Sequence, residues 1–106
     1  QIDVMPISTT NPIWRRFAWW CERRQYDNEN KTGAITLEKY VDWSQKRQAD
    51  ALYTAAASCK QRFPRCGGII IWMGHDSFPC TSNTSIIDFE GHPKPAALAL
   101  AKVFLP

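Results

Sequence analysis

Apolar residues recur along the chain with two periods, and each marks a different kind of element. Ile13, Trp14, Phe17, Trp20 and Cys21 follow Asn11-Pro12 at helical spacing. Thr10 or Asn11 can cap such a helix, and a proline at its first position has no backbone hydrogen bond to lose. The pattern predicts a helix ending near Gln25, then a polar, glycine-terminated loop from Asp27 to Gly33. A second, longer helix is predicted behind Thr36 as its cap. Its apolar or small positions are Leu37, Tyr40, Val41, Ser44, Gln48, Leu52, Ala55, Ala56, Cys59 and Phe63, which keep the 3.6-residue period. Pro64 ends it, because proline disfavours the helical region for the residue before it.

The period then changes. Gly67-Gly68 opens Ile69-Ile70-Ile71-Trp72-Met73, which is apolar at every position, the pattern of a strand covered on both faces. Gly74 to Asn83 reads as a loop, Ser85 to Phe89 as a short extended piece and Glu90 to Pro93 as a turn. Pro95 starts a last helix running to Phe104. One strand alone cannot satisfy its own backbone, and each unpaired buried group costs about 1–3 kcal/mol. Its neighbours are expected from another segment or chain, so the sequence reads as part of a larger fold.

Composition narrows the class. With 106 residues, 44% hydrophobic and 22% charged, the chain is globular, and one domain is the ceiling. The longest apolar runs, Gly68 to Met73 and Ala96 to Leu100, fall far short of the roughly 20 residues that cross a bilayer, so no membrane partner is expected. The net charge of +3 is spread along the chain. Only Arg15, Arg16, Arg23 and Arg24 cluster, as a solvated helix face does, and no nucleic-acid-binding motif accompanies them. Gln1 is not followed by a charged and then apolar leader pattern. Cys21, Cys59, Cys66 and Cys80 have no zinc-module spacing. Cys59 and Cys66 can bridge a helix end to the next strand in an exported protein, or stay as buried thiols. Asn30-Lys31-Thr32 and Asn83-Thr84-Ser85 fit the glycosylation pattern without deciding the compartment.

Three ordered blocks carry a family resemblance. The first runs from Leu37-Glu38-Lys39-Tyr40 through Ser44-Gln45 to Gln48-Ala49-Asp50-Ala51-Leu52. The second is Arg62-Phe63-Pro64-Arg65-Cys66-Gly67-Gly68-Ile69-Ile70-Ile71-Trp72-Met73-Gly74-His75-Asp76. The third is Ser85-Ile86-Ile87-Asp88-Phe89-Glu90-Gly91-His92-Pro93-Lys94-Pro95-Ala96. Together they resemble the end of the barrel domain of family 2 glycoside hydrolases, in the β-mannosidase-like branch: the helix before the last barrel strand, that strand with its terminal tryptophan and following aspartate, and the closing segment.

The resemblance implies the α/β class, with residues 1–106 as the C-terminal portion of a (β/α)8 barrel. Residues 1–35 would be the helix and loop after the seventh strand, and 36–106 the last βα units. Chemistry in that fold happens at the C-terminal ends of the strands, where Trp72 falls. By resemblance Trp72 forms a wall of the subsite holding the sugar to be cleaved, or fills the barrel mouth without touching ligand. Asp76 is implied to hydrogen-bond a sugar hydroxyl or to brace the loop. His75 joins them as a candidate substrate contact and is also a departure, since many β-mannosidase-like members read Trp-Gln-x-Asn-Asp where this chain has Trp72-Met73-Gly74-His75-Asp76. The implied partners are a carbohydrate substrate and the remainder of the barrel or parent polypeptide. No cofactor is implied, and the compartment stays open, with a periplasmic or secreted one among the choices.

The same family places its two catalytic glutamates after the fourth and seventh strands, both before the start of this chain. Retaining glycosidases need two carboxyl groups roughly 5–5.5 Å apart. The Asn28-Glu29 dipeptide resembles part of the acid/base motif but is expected in a loop with no strand before it, and Glu22, Glu38 and Glu90 lack strand-end context. No catalytic residue is therefore assigned within the chain. Read from the residues alone, His75-Asp76 with His92 and Cys80 offers metal-ligand types without the spacing of a closed zinc site. Ser77 lacks the glycines of a nucleophile elbow. The rival to an enzyme fragment is a non-catalytic helical interaction module that binds through Trp14, Trp19 and Trp20.

Overall fold

A computed structural model describes residues 23–30, 36–79 and 83–105, without the side chains of residues 23, 24 and 37. The expected first helix before Arg23, with Trp14, Trp19 and Trp20, lies outside the described residues, as does Cys80. Three helices are described: α1, Arg23–Glu29; α2, Leu37–Gln61; and α3, Pro95–Phe104. The chain divides into two units, Gln1–Ser44 and Gln45–Pro106, and α2 runs through the division.

In the first unit an aromatic cluster does the packing. Tyr26 is 1% exposed and meets the edges of Tyr40 and Trp43, each with ring centroids 5.3 Å away. Tyr40 and Trp43, three residues apart on α2, lie face to face at 6.4 Å, as neighbouring positions on a helix surface can. Burial pushes the Tyr26 phenol above its ordinary range, and the Asp27 charge adds to it. Residues 27–29 belong to α1 rather than to the expected loop. Glu29 explains the difference: its carboxylate accepts from Gln25 Nε2 at 3.1 Å and from the Trp43 indole Nε1 at 2.6 Å. A non-local bond thus holds a turn whose own sequence favours loop.

The start of α2 follows the sequence closely. Thr36 Oγ1 accepts from the Lys39 N–H at 3.2 Å, which satisfies one of the orphan donors of the first turn. In the second unit, α2 buries Ala56 completely, with Leu52 and Ala57 beside it. Against this face sit Leu100 and Val103 of α3, together with Ile69, Ile71 and Ile86. Ala96, Leu100 and Val103 form the buried stripe of α3, at the four- and three-residue steps a helix dictates. Pro95 occupies the first position of α3, as the sequence requires. At its other end Lys60 of α2 donates to the Val103 carbonyl at 2.5 Å, placing a cation on the negative end of α3.

After Gln61 the chain turns through Arg62 to Arg65, with a cis peptide at Phe63-Pro64, and runs extended from Cys66. The expected strand over Ile69–Met73 is extended but has no ladder partner among the described residues. Ladder contacts appear further on instead: His75 bridges Ile87 in parallel, and Ile87 bridges Pro93 in antiparallel. No described helix is long and apolar enough to cross a membrane.

Candidate functional site

Alternation along the extended segment decides what Trp72 can do. Successive side chains point to opposite sides of an extended backbone. Ile69 and Ile71 therefore pack on the α2–α3 core, while Ile70 and Trp72 point away, 99% and 79% exposed. Immediately after Trp72 the backbone bends. Met73 takes the left-handed conformation, φ 59°, which costs a bulky side chain about 1–2 kcal/mol. The turn sends the chain back toward residues 84–87, where Thr84 Oγ1 donates to the Trp72 carbonyl at 3.4 Å.

Backbone hydrogen bonds then weave three short stretches together. Ile86 and Ile87 N–H both donate to the Gly74 carbonyl, at 3.2 and 3.1 Å, and Asp76 N–H donates to Ile87 O at 3.0 Å. Lys94 N–H donates to Ile86 O at 2.8 Å, and Asp88 N–H to His92 O at 3.0 Å. From the helix side, Gln48 Nε2 donates to the carbonyls of Thr84 and Ser85, at 2.7 and 3.1 Å. The three blocks that carry the sequence resemblance thus meet at one place: Gln48 from the first, Gly74 and Asp76 from the second, Ser85 to Lys94 from the third.

Asp76 lies at the centre of this weave and is 5% exposed. Its Oδ1 accepts from Asn83 Nδ2 and its Oδ2 from Lys94 Nζ at 3.2 Å. The same ammonium donates to Ser85 Oγ at 2.6 Å, and Ser85 is itself fully buried. Burial alone would raise this carboxyl. The hydrogen bonds from Ser85, Asn83 and Lys94, with the Lys94 charge, outweigh it together and hold Asp76 below the usual carboxylate range. Lys94 is itself largely buried, with its side chain 15% exposed, so the two charges compensate each other where water is scarce.

The turn beyond is held by a second carboxylate. Asp88 Oδ1 accepts from the N–H groups of Glu90 and His92, at 3.0 and 2.8 Å, and Gly91 supplies the positive φ of 87° that the turn needs. The His92 N–H lowers the Asp88 carboxyl most, with Glu90 N–H and the His92 ring adding to it against a burial contribution of opposite sign.

Of the three sequence-predicted contacts, Trp72 and His75 face solvent, and Asp76 is enclosed by protein groups. Among the described residues no group of three or more His, Cys, Asp or Glu side chains could hold a metal ion. Glu29, the one residue with a superficial likeness to an acid/base motif, is taken up by Gln25 and Trp43. Sequence reasoning missed Lys94, Ser85 and Asn83. The available signal was Lys94 between two prolines, a cation on a constrained backbone near a carboxylate that needed a partner.

No family model and no solved structure matches the chain. Sequence relatives do. The chain is 34% identical over 90 residues to β-mannosidase B of Aspergillus flavus and to that of Aspergillus oryzae, covering 80% of this chain and 10% of each relative. The β-mannosidase B of Aspergillus niger is 33% identical over the same share. The chain therefore spans about a tenth of the length of the relatives it matches. What it is similar to, over most of its own length, is one stretch of a β-mannosidase.

Proposed function

We propose that this chain is a segment of a retaining exo-β-glycosidase of the β-mannosidase type, closing a family 2 (β/α)8 barrel and supplying one wall of the pocket for the terminal sugar. The carrying observation is the placement of Trp72: an indole 79% exposed, at the end of an extended segment whose alternate residues are packed. An aromatic face held this way can stack on the C–H face of a pyranose and exclude water. His75, exposed beside the same loop, is a polar contact for the sugar or its leaving group. Asp76 acts as the brace that sets the loop, since its oxygens are engaged by protein donors.

The carboxyl pair that performs the displacement belongs to the parent polypeptide outside this chain. The remainder of that polypeptide also supplies the neighbours that the Ile70 side of the extended segment and its backbone call for. The test is made on the parent enzyme with aryl β-glycosides. Trp72→Ala should lower kcat/KM for β-mannosides roughly 10- to 100-fold, equivalent to about 1.4–2.7 kcal/mol, with the fold retained by circular dichroism. The isolated chain should show no hydrolysis. Turnover by the isolated chain that disappears with Glu29→Gln would defeat the proposal.

A further inference from the structure

The turn that joins α2 to the extended segment holds a pair of thiols that the glycosidase reading does not use. Cys59 sits in the last turn of α2, and Cys66 follows the four-residue turn after it. The backbone brings them round by four hydrogen bonds: Arg62 N–H to Cys59 O at 3.1 Å, Phe63 N–H to Lys60 O at 3.2 Å, Arg65 N–H to Arg62 O at 2.7 Å and Cys66 N–H to Arg62 O at 3.2 Å. The Cys66 side chain is the chief influence on the Cys59 thiol, and Cys66 Sγ donates to the Gly68 carbonyl at 3.3 Å. The two thiols thus stand at the two ends of one tight turn, each half-exposed, with no other described cysteine competing.

We propose that Cys59 and Cys66 form a redox-closable pair, joined by exchange with a soluble disulfide of the glutathione type, which fastens the end of α2 to the start of the segment that presents Trp72. The exchange balances within named reactants. One cysteine thiolate attacks the donor disulfide and releases one donor thiolate. The second cysteine thiolate attacks the mixed disulfide at the protein sulfur and releases the other. The two cysteine protons end on the two released thiols, the cysteines are oxidised, and the donor disulfide is reduced. Because only a short turn separates the sulfurs, the second step is intramolecular and outruns a second attack by free donor.

The local electrostatics set a pH dependence. The Cys66 side chain, then burial, hold the Cys59 thiol above its ordinary range, against a lowering by Arg62. Less thiolate is present at neutral pH than on a free cysteine, so closure should quicken as pH is raised.

The experiment treats the intact chain, and a Cys21→Ser/Cys80→Ser variant, with oxidised glutathione, followed by intact-mass measurement and peptide mapping. The expected product has lost the two thiol hydrogens, carries no glutathione, maps to a Cys59–Cys66 crosslink and returns to the starting mass with a dithiol reductant. Cys59→Ser should instead keep glutathione on Cys66. Persistent glutathione on both cysteines of the native chain, or a crosslink from either to Cys21 or Cys80, overturns the proposal.

Discussion

At the scale of single residues, Asp76 and Lys94 form the unit on which the site stands. Removing only the cation leaves a buried carboxylate without compensation, which costs about 3–5 kcal/mol. Lys94→Met should therefore lower the melting temperature of the chain by more than roughly 10 °C, read by circular dichroism. Asp76→Asn, which removes the anion and strands the ammonium, should be damaging as well, and the double change less so than the sum. The pH dependence follows from direction. Asp76 is depressed in the folded chain, so its contribution is complete above the unfolded carboxyl value of about 3.9 and is lost as pH falls below that through the folded value. The stability gap between wild type and Asp76→Asn should thus be constant near neutrality and narrow in acid below about pH 4. A gap that does not move with acid would show that Asp76 acts through shape and not charge.

At the scale of elements, α2 and α3 are held by a close approach that only a small side chain permits. Ala56 is fully buried and Ala55 beside it exposed. Ala56→Leu should cost about 1–3 kcal/mol by overpacking, whereas Ala55→Leu should stay within about 0.5 kcal/mol, both from denaturant melts. The contrast depends on a one-residue step and so tests the register of the helix. These helices were legible beforehand because their signals are local: the Thr36 cap, the 3.6-residue stripe and Pro95 at an N-terminus. The sequence around Glu29 reads as loop, because the Trp43 indole that holds it comes from 14 residues away. The site was legible only in part for the same reason. Trp72 announces itself as an aromatic at the end of an apolar run, while Lys94, 18 residues from the carboxylate it meets, reveals its role only once the chain is folded.

At the scale of the molecule, the chain presents Ile70 at 99% exposure and Trp72 at 79% on a segment that has no ladder partner among the described residues. Exposed apolar edges of this kind attract other chains and hydrophobic dyes. The isolated chain should bind an anilinonaphthalene dye and self-associate on gel filtration, and Ile70→Lys should diminish both without loss of helix. A monomer that binds no dye, with residues 68–73 protected from amide exchange, would mean that the segment finds its strand neighbours within this chain. The apolar run Ile69–Met73 is legible in the sequence, and the exposure of alternate residues along it is a property of the folded chain.

The nitrogen that Asn83 extends to Asp76 is also the atom a glycosyltransferase would need, because Asn83-Thr84-Ser85 is an acceptor sequence. Asn30, in the other acceptor sequence, has likewise turned its amide inward, to the Tyr26 carbonyl at 2.9 Å. Folding and sugar attachment are thus rivals for the same two amides. In a secretory pathway the outcome is set by timing: a glycan added to the nascent chain would occupy the place of a structural bond, and a chain that folds first presents poor acceptors.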